Sequence, residues 1–417
     1  MDKQQLWEKI EHQKEDLVRL CCDMIQIPSE NPPCNVEEIC SYICRYLDEA
    51  GIAYEVVRPK PNLPNILARF GNPQGKTLVF NGHMDVVPAG DLEQWDFPPY
   101  CGEIRDGKIL GRGTSDMKCG LAASLFTMAL LAKEQANLTG QILMTIVPDE
   151  ESGGFYGTRW LFEQGLIKGD WGIVAEPTGY DNIEVGQKGS LCVTVRAKGA
   201  SAHGSLSPYV GDNAVEKLMR FLLELRALRQ LHGNHTGEMA RVMEVSKQVI
   251  RDVQKAPGVE NCMDHVTVNF GTFHGGIRRN VVADYAEADV DVRIPLGVHF
   301  DEVAGMIEQI QKQPGMEGIT VEYSGARSGN WVSVESPICR AAQNCAKELM
   351  GIDLVMAYQW ASSDTRYFRD AGIQTIQYGP SDTEGIHSYN ETVTIKDVVN
   401  AAKMYTGIIW DLMGSDK

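Results

Sequence analysis

Two histidines and a set of carboxylates in this chain stand where strands end. Short apolar runs lead into Asn81-Gly-His83-Met-Asp85, into Pro148-Asp-Glu150-Glu151 and into Glu176-Pro177; a fourth, Ile376-Gln-Tyr378, leads into Gly379-Pro380 and then His387. Asp116 enters through Gly111-Arg-Gly-Thr-Ser-Asp116 at the expected start of a helix. Sites in open α/β sheets gather outside the carboxyl ends of the strands. Four such ends would bring both imidazoles and several acids to one edge. Mixed His and carboxylate ligation suits a divalent transition metal, zinc first.

Singly, these features are ordinary. A His-x-Asp pair is commonly a hydrogen-bonded loop, and Glu150-Glu151 reads as a solvated pair at a helix start, where the dipole favours acids. Gathered at consecutive strand ends they mean something else, because clustered acids and imidazoles without a cation would cost several kcal/mol in repulsion and desolvation.

The elements that must position these groups are legible from periodicity. Strands are expected at Asn65–Phe70, Thr77–Phe80, Gln141–Val147, Gly172–Ala175 and Gln374–Tyr378, several of them nearly continuous apolar runs of the kind covered by helices on both faces. Asn35 reads as a helix N-cap, with Val36, Ile39, Cys40, Ile43, Cys44 and Leu47 on one face and Gly51 closing the helix. From about Lys188 the texture changes. Alternating stretches at Leu191–Arg196 and Tyr285–Ile294 accompany helices at Asn213–Leu231 and Phe300–Lys312, a polar insertion at Gly237–Gly258 and a last strand near Ile319–Tyr323. The expected fold is therefore α/β: a mostly parallel catalytic sheet with helices on both faces, formed by residues 1–187 and 328–417. A smaller α+β domain, residues 188–327, is inserted into it.

These stretches carry a resemblance. The chain is similar to the zinc-dependent family of aminoacylases, acetylornithine deacetylases, succinyl-diaminopimelate desuccinylases and glutamate carboxypeptidases. The likeness rests on Asn81–Pro88, Trp95 with Pro98-Pro99, Gly111–Lys118, Pro148–Gly154, Ala175–Thr178, Ser201–Gly204, Gly275-Gly276 with Asn280–Asp284, Ser363-Asp364, and Gly379-Pro380 with His387. It implies two divalent ions per chain, zinc with cobalt as a substitute: His83, Asp116 and Glu176 on one, Asp116, Glu151 and His387 on the other, with Asp116 bridging. It also implies a cis peptide after Asp116. Asp85 would then hold the second nitrogen of His83, as carboxylates behind metal ligands do. Glu150 is left over to act as general base toward water and as acid toward the leaving nitrogen.

The inserted block corresponds, by the same resemblance, to a lid and dimerisation domain. His203 would reach the neighbouring subunit's active site and steady the oxyanion, and Asn280 and Arg293 would bind the substrate's carboxylate, a role that suits an Arg fork. Without the family, His203 is a loop histidine and Arg293 a strand-edge ion pair. Glu rather than Asp at 176 is the pattern of deacylases and carboxypeptidases, not of aminopeptidases. The resulting expectation is an amidohydrolase acting on an N-acyl amino acid, or a carboxypeptidase or dipeptidase acting on a short peptide with a free carboxylate. A relative that binds without catalysis would have lost a ligand or Glu150, and none is lost.

Composition narrows the alternatives. The 417 residues are 43% hydrophobic, enough for two or three cores, and the net charge of −17 disfavours nucleic acid and anionic membranes. No Gly-x-Ser-x-Gly elbow points to a serine hydrolase. The 11 cysteines are an odd number without a Cys-x-x-Cys pair, and no segment reads as a signal peptide or membrane span. These features lead us to expect a cytoplasmic protein; a homodimer through the inserted domain is what the resemblance implies.

Overall fold

The apolar runs before the candidate ligands form neighbouring strands in a computed structural model, which describes residues 2–382 and 385–415. The chain divides into two units. One comprises Met1–Val185, Val332–Ala357 and Ser363–Lys417; the other comprises Gly186–Trp331 and Tyr358–Ser362.

The first unit is built on β1 (Ala53–Lys60), β2 (Leu63–Gly71), β3 (Thr77–His83), β4 (Gln141–Val147), β5 (Trp171–Val174), β6 (Asn182–Gln187) and, late in the chain, Gln374–Gln377. The order is β1-β2-β4-β3-β5-(374–377)-β6. The middle four strands, β4, β3, β5 and 374–377, are mutually parallel, whereas β1, β2 and β6 join antiparallel at the flanks. All four carboxyl ends therefore lie on one edge.

Alternation along the strands divides their side chains between two helical layers. Val79, Leu143 and Val174 pack with Leu161 and Phe368 on one side, while Phe80 meets Tyr405 edge-on, with ring centroids 5.4 Å apart. The helix Cys119–Lys133 is buried over nearly its whole circumference, as an apolar-all-round helix must be. A Cβ on its Gly120 would fall 2.1 Å from the Ala175 carbonyl oxygen. Only glycine lets this helix approach the end of β5 so closely, and Glu176 follows directly.

The second unit is an antiparallel sheet in the order (267–275)-(285–294)-(189–198)-(319–324). Its apolar face, with Leu191, Val193, Val195, Val290 and Val292, packs against Leu218 and Phe221 of the helix Ala214–Leu225 and Val303 and Ile307 of the helix Phe300–Gln311.

Local expectations needed correction in places. Val36, not Asn35, is the N-cap of the helix Glu37–Glu49, and Asn35 instead accepts from the Glu37 amide at 3.3 Å. The expected polar insertion at Gly237–Gly258 is mostly a helix, Gly237–Gln254, which buries Met239, Val242, Met243 and Ile250. The expected helix Asn213–Leu231 ends at Leu225 and continues as a tighter turn to Gln230. Among the described residues, no helix is long and apolar enough to cross a membrane.

Candidate metal centre

His83 is the last residue of β3. Glu150 and Glu151 open a short turn that begins three residues beyond β4, and Glu176 lies two beyond β5. Asp116 sits in the turn Thr114–Lys118 immediately before the helix Cys119–Lys133, and its peptide bond to Met117 is cis. His387 follows the strand Gln374–Gln377 by a loop and has φ +59°.

Asp116 lies between the two histidines. Its Oδ1 lies 3.1 Å from His83 Nε2, and its Oδ2 lies 3.1 Å from His387 Nε2. His387 Nε2 is also 3.3 Å from Glu151 Oε2, and His83 Nε2 is 3.8 Å from Glu176 Oε1. Two triplets have ligand atoms within 4.8 Å of one another: His83 with Glu150 and Glu176, and His83 with Asp116 and Glu151. Glu150 is thus within ligand distance, and proximity alone does not separate a ligand from a base.

Asp85 organises this edge from behind. The His83 Nδ1–H donates to the Asp85 backbone carbonyl at 2.7 Å, with the Asp85 carboxylate farther off at 3.3 Å. This turns Nε2 toward the carboxylates. Asp85 Oδ1 accepts from the Glu150 amide and Oδ2 from the Glu151 amide, both at 3.2 Å, and Asn31 Nδ2 donates to Oδ2 at 2.8 Å. One carboxylate therefore fixes the turn that presents both glutamates.

The electrostatics of these side chains call for a cation. Burial pushes the carboxyls of Glu150 and Glu176 well up, with Asp364 and Asp116 respectively adding like-charge repulsion; Glu151 is raised by burial and then by Asp116. Hydrogen bonds to Asp116 and Glu151 hold the His387 imidazolium up to about 10. Burial by itself would favour neutral His83, but Asp116 and Asp85 outweigh it and raise its pKa well above the ordinary value. Glu151 Oε1 and Glu176 Oε1 are buried without a hydrogen-bond partner. Buried acceptors left unsatisfied are costly, and a hard or borderline divalent cation satisfies this donor set. The residues fit two such ions.

The remaining candidates lie in the second unit. His203 caps the turn Gly204–Leu206 and is exposed; its Nδ1 accepts from the Ser205 amide at 3.3 Å, so its Nε2 carries the proton. Asn280 is exposed and adjoins it, its carbonyl accepting from the Gly204 amide at 2.8 Å. Arg293 stands on the strand Tyr285–Ile294, and its Nε donates to Asp291 at 2.9 Å.

Periodicity and spacing gave no sign of Asn31, Arg366 or Glu391. Arg366 and Tyr367 donate to the Gly153 carbonyl at 3.1 and 2.9 Å, holding the far end of the Glu150–Glu151 turn. Arg366 lies just after the Ser363-Asp364 stretch, but the carbonyl it holds is more than 200 positions away in the sequence.

A protein from Staphylococcus epidermidis named probable succinyl-diaminopimelate desuccinylase is 29% identical over 391 residues, covering 91% of this chain and 93% of its own. The structure of an M20 family metallo-carboxypeptidase from Sulfolobus solfataricus superposes with a TM-score of 0.81 at 21% identity, over 94% of this chain and 98% of that one. Human carnosine dipeptidase 1 gives 0.77 at 15% identity, over 98% of each chain. At these identities the solved structures establish the fold. The family model described as peptidase family M20/M25/M40 matches residues 79–411, a stretch that encloses every candidate ligand, and the chain belongs to that family of metallohydrolases.

Proposed function

We propose that this protein removes the acyl group from the nitrogen of an N-acyl amino acid, as an acetylornithine deacetylase or succinyl-diaminopimelate desuccinylase does. The observation that carries the reading is Asp116 reaching His83 with one oxygen and His387 with the other at the edge where Glu150, Glu151 and Glu176 converge. His83, Asp116 and Glu176 would hold one divalent ion, and Asp116, Glu151 and His387 the second, zinc natively with cobalt as a substitute. When bound, the ions supply Lewis acidity toward the amide oxygen and toward water.

Glu150 is not needed for either set and stands beside both. Its carboxylate takes a proton from the attacking water as the hydroxyl oxygen bonds to the amide carbon. It returns that proton to the nitrogen as the C–N bond breaks, so that a carboxylic acid and a free amine leave. The proton on His203 Nε2 suits it to donate to the developing oxyanion of a partner subunit's site, and Asn280 and Arg293 would bind the substrate carboxylate. For this, Arg293 must share or exchange its Asp291 partner. Asp85 is a positioning residue behind His83 and the glutamates.

The protein would work as a homodimer through the inserted domain, and in the cytoplasm, where its 11 free cysteines stay reduced. A carboxypeptidase or dipeptidase is the second reading, favoured by the names of the two solved structures. Assaying N-acetyl, N-succinyl and longer N-acyl amino acids beside dipeptides, with zinc or cobalt added, separates them. Turnover confined to dipeptides would overturn the deacylase assignment.

A further inference from the structure

The Gly111–Asp116 loop is wound around a carboxylate from elsewhere in the same unit. Glu391 is fully buried. Its Oε1 accepts from the amides of Ser115 and Asp116 at 2.8 and 3.1 Å, and its Oε2 accepts from the Gly113 amide at 3.1 Å and from Arg112 Nη1 at 2.6 Å. Four donors thus saturate one carboxylate, three of them backbone amides converging as they do in an anion-binding nest. Gly113, at φ +85°, makes the convergence possible. The contacts then run back to His387. Arg112 Nη1 donates to the Ser388 carbonyl at 3.0 Å, the Gly111 amide to the Glu391 carbonyl at 3.0 Å, and Ser115 Oγ to the Thr392 carbonyl at 3.0 Å. Residues Thr392–Thr394 pair antiparallel with Lys108–Leu110.

The bridging candidate Asp116 and the terminal candidate His387 therefore come from two segments tied into one hydrogen-bonded body, and Asp116's own amide is one of the ties. We propose that Glu391, with Arg112 as its partner, is a positioning residue that sets the separation of Asp116 and His387 before any metal binds. This inference rests on the metal centre assigned above. Residues behind the ligands typically govern 10- to 100-fold of metal affinity, and a preset separation of two ligands is one way to do so.

The test compares the metal-stripped full-length chain with Glu391→Gln, with the double variant Glu391→Gln/Arg112→Gln and with His387→Ala. Each is titrated with Zn2+ alone against a chromophoric chelator, and thermal midpoints are recorded. Gln leaves two donors facing an NH2 group and Arg112 without a counter-charge. The double variant removes that charge and should recover much of the midpoint. The expected result is zinc affinity about 10- to 100-fold lower in both Glu391 variants, with the midpoint but not the affinity restored in the double variant. Wild-type affinity in Glu391→Gln, or affinity that returns together with stability, would overturn the inference, the second outcome marking Glu391 as a structural brace only. If neither variant folds, amide exchange in the metal-free wild-type chain decides. Protected Ser115 and Asp116 amides support a preset loop, and exchange at the rate of an open loop overturns it. Unchanged zinc binding in His387→Ala would instead bring down the metal centre itself, and the inference with it.

Discussion

Replacing Asp85 by Asn preserves its shape and removes one acceptor. The carboxylate accepts three hydrogen bonds, from the Glu150 amide at 3.2 Å on Oδ1 and from the Glu151 amide at 3.2 Å and Asn31 Nδ2 at 2.8 Å on Oδ2; His83 Nδ1 lies 3.3 Å from Oδ1 but donates to the Asp85 backbone carbonyl. With its oxygen toward Glu150, an Asn side chain would turn its NH2 toward Asn31 and Glu151. Asn31 can respond by rotating its own amide, because Ser152 Oγ, 3.0 Å away, is able to donate as well as accept. The Glu151 amide has no such freedom. One lost hydrogen bond to a charged acceptor is worth about 1.5–3 kcal/mol, and the 3.2 Å length places this one at the weaker end. A loss of about 1.5–2 kcal/mol corresponds to roughly 10- to 30-fold in zinc affinity. Competitive zinc titration reads this directly, and kcat and KM on the substrate turned over best in the assay proposed above show whether turnover follows. Asp85→Ala, with no acceptor for either amide, should lose more than Asp85→Asn. Unchanged zinc affinity and kcat in Asp85→Asn would refute the argument that this carboxylate places the glutamates.

Glu150→Gln should keep the fold and most of the zinc while losing several orders of magnitude in kcat, whereas Glu151→Gln should weaken zinc binding; equal, mild effects would erase the distinction between base and ligand. Mixing His203→Ala chains with Glu150→Gln chains under subunit exchange should restore activity toward about a quarter of wild type, since about half the dimers are hybrid with one intact site of two. No recovery despite demonstrated exchange would place His203 outside the partner's site. Glu184 is buried, its Oε2 lacks a hydrogen-bond partner, and burial pushes its carboxyl up to about 8 from the ordinary 4.5. The folded state holds it protonated while the unfolded chain ionises it, so its contribution to stability is full below pH 4.5 and is lost as pH rises to about 8. Glu184→Gln should therefore melt above wild type at pH 8 and match it at pH 4; equal midpoints at both pH values would contradict the buried neutral carboxyl.

The strand ends were legible because β3, β4 and β5 are continuous apolar runs broken by polar residues, and a strand buried on both faces leaves that local trace. The alternating strands at 189–198 and 285–294 were legible for a related reason, since one face of each packs on a core and the other does not. Charged residues interleaved through Gly237–Gln254 masked the stripe of Met239, Val242, Met243 and Ile250, so a helix looked like a polar insertion. What joins Asp116 to His83 and His387, Asp85 to the Glu150 and Glu151 amides, and Glu391 to the Asp116 loop was decided by tertiary structure. Periodicity reports which face of an element is buried. A hydrogen bond from a backbone amide to a carboxylate 275 positions away, as between Asp116 and Glu391, leaves no periodic mark, because any residue can supply the amide and only the folded chain determines which carboxylate meets it.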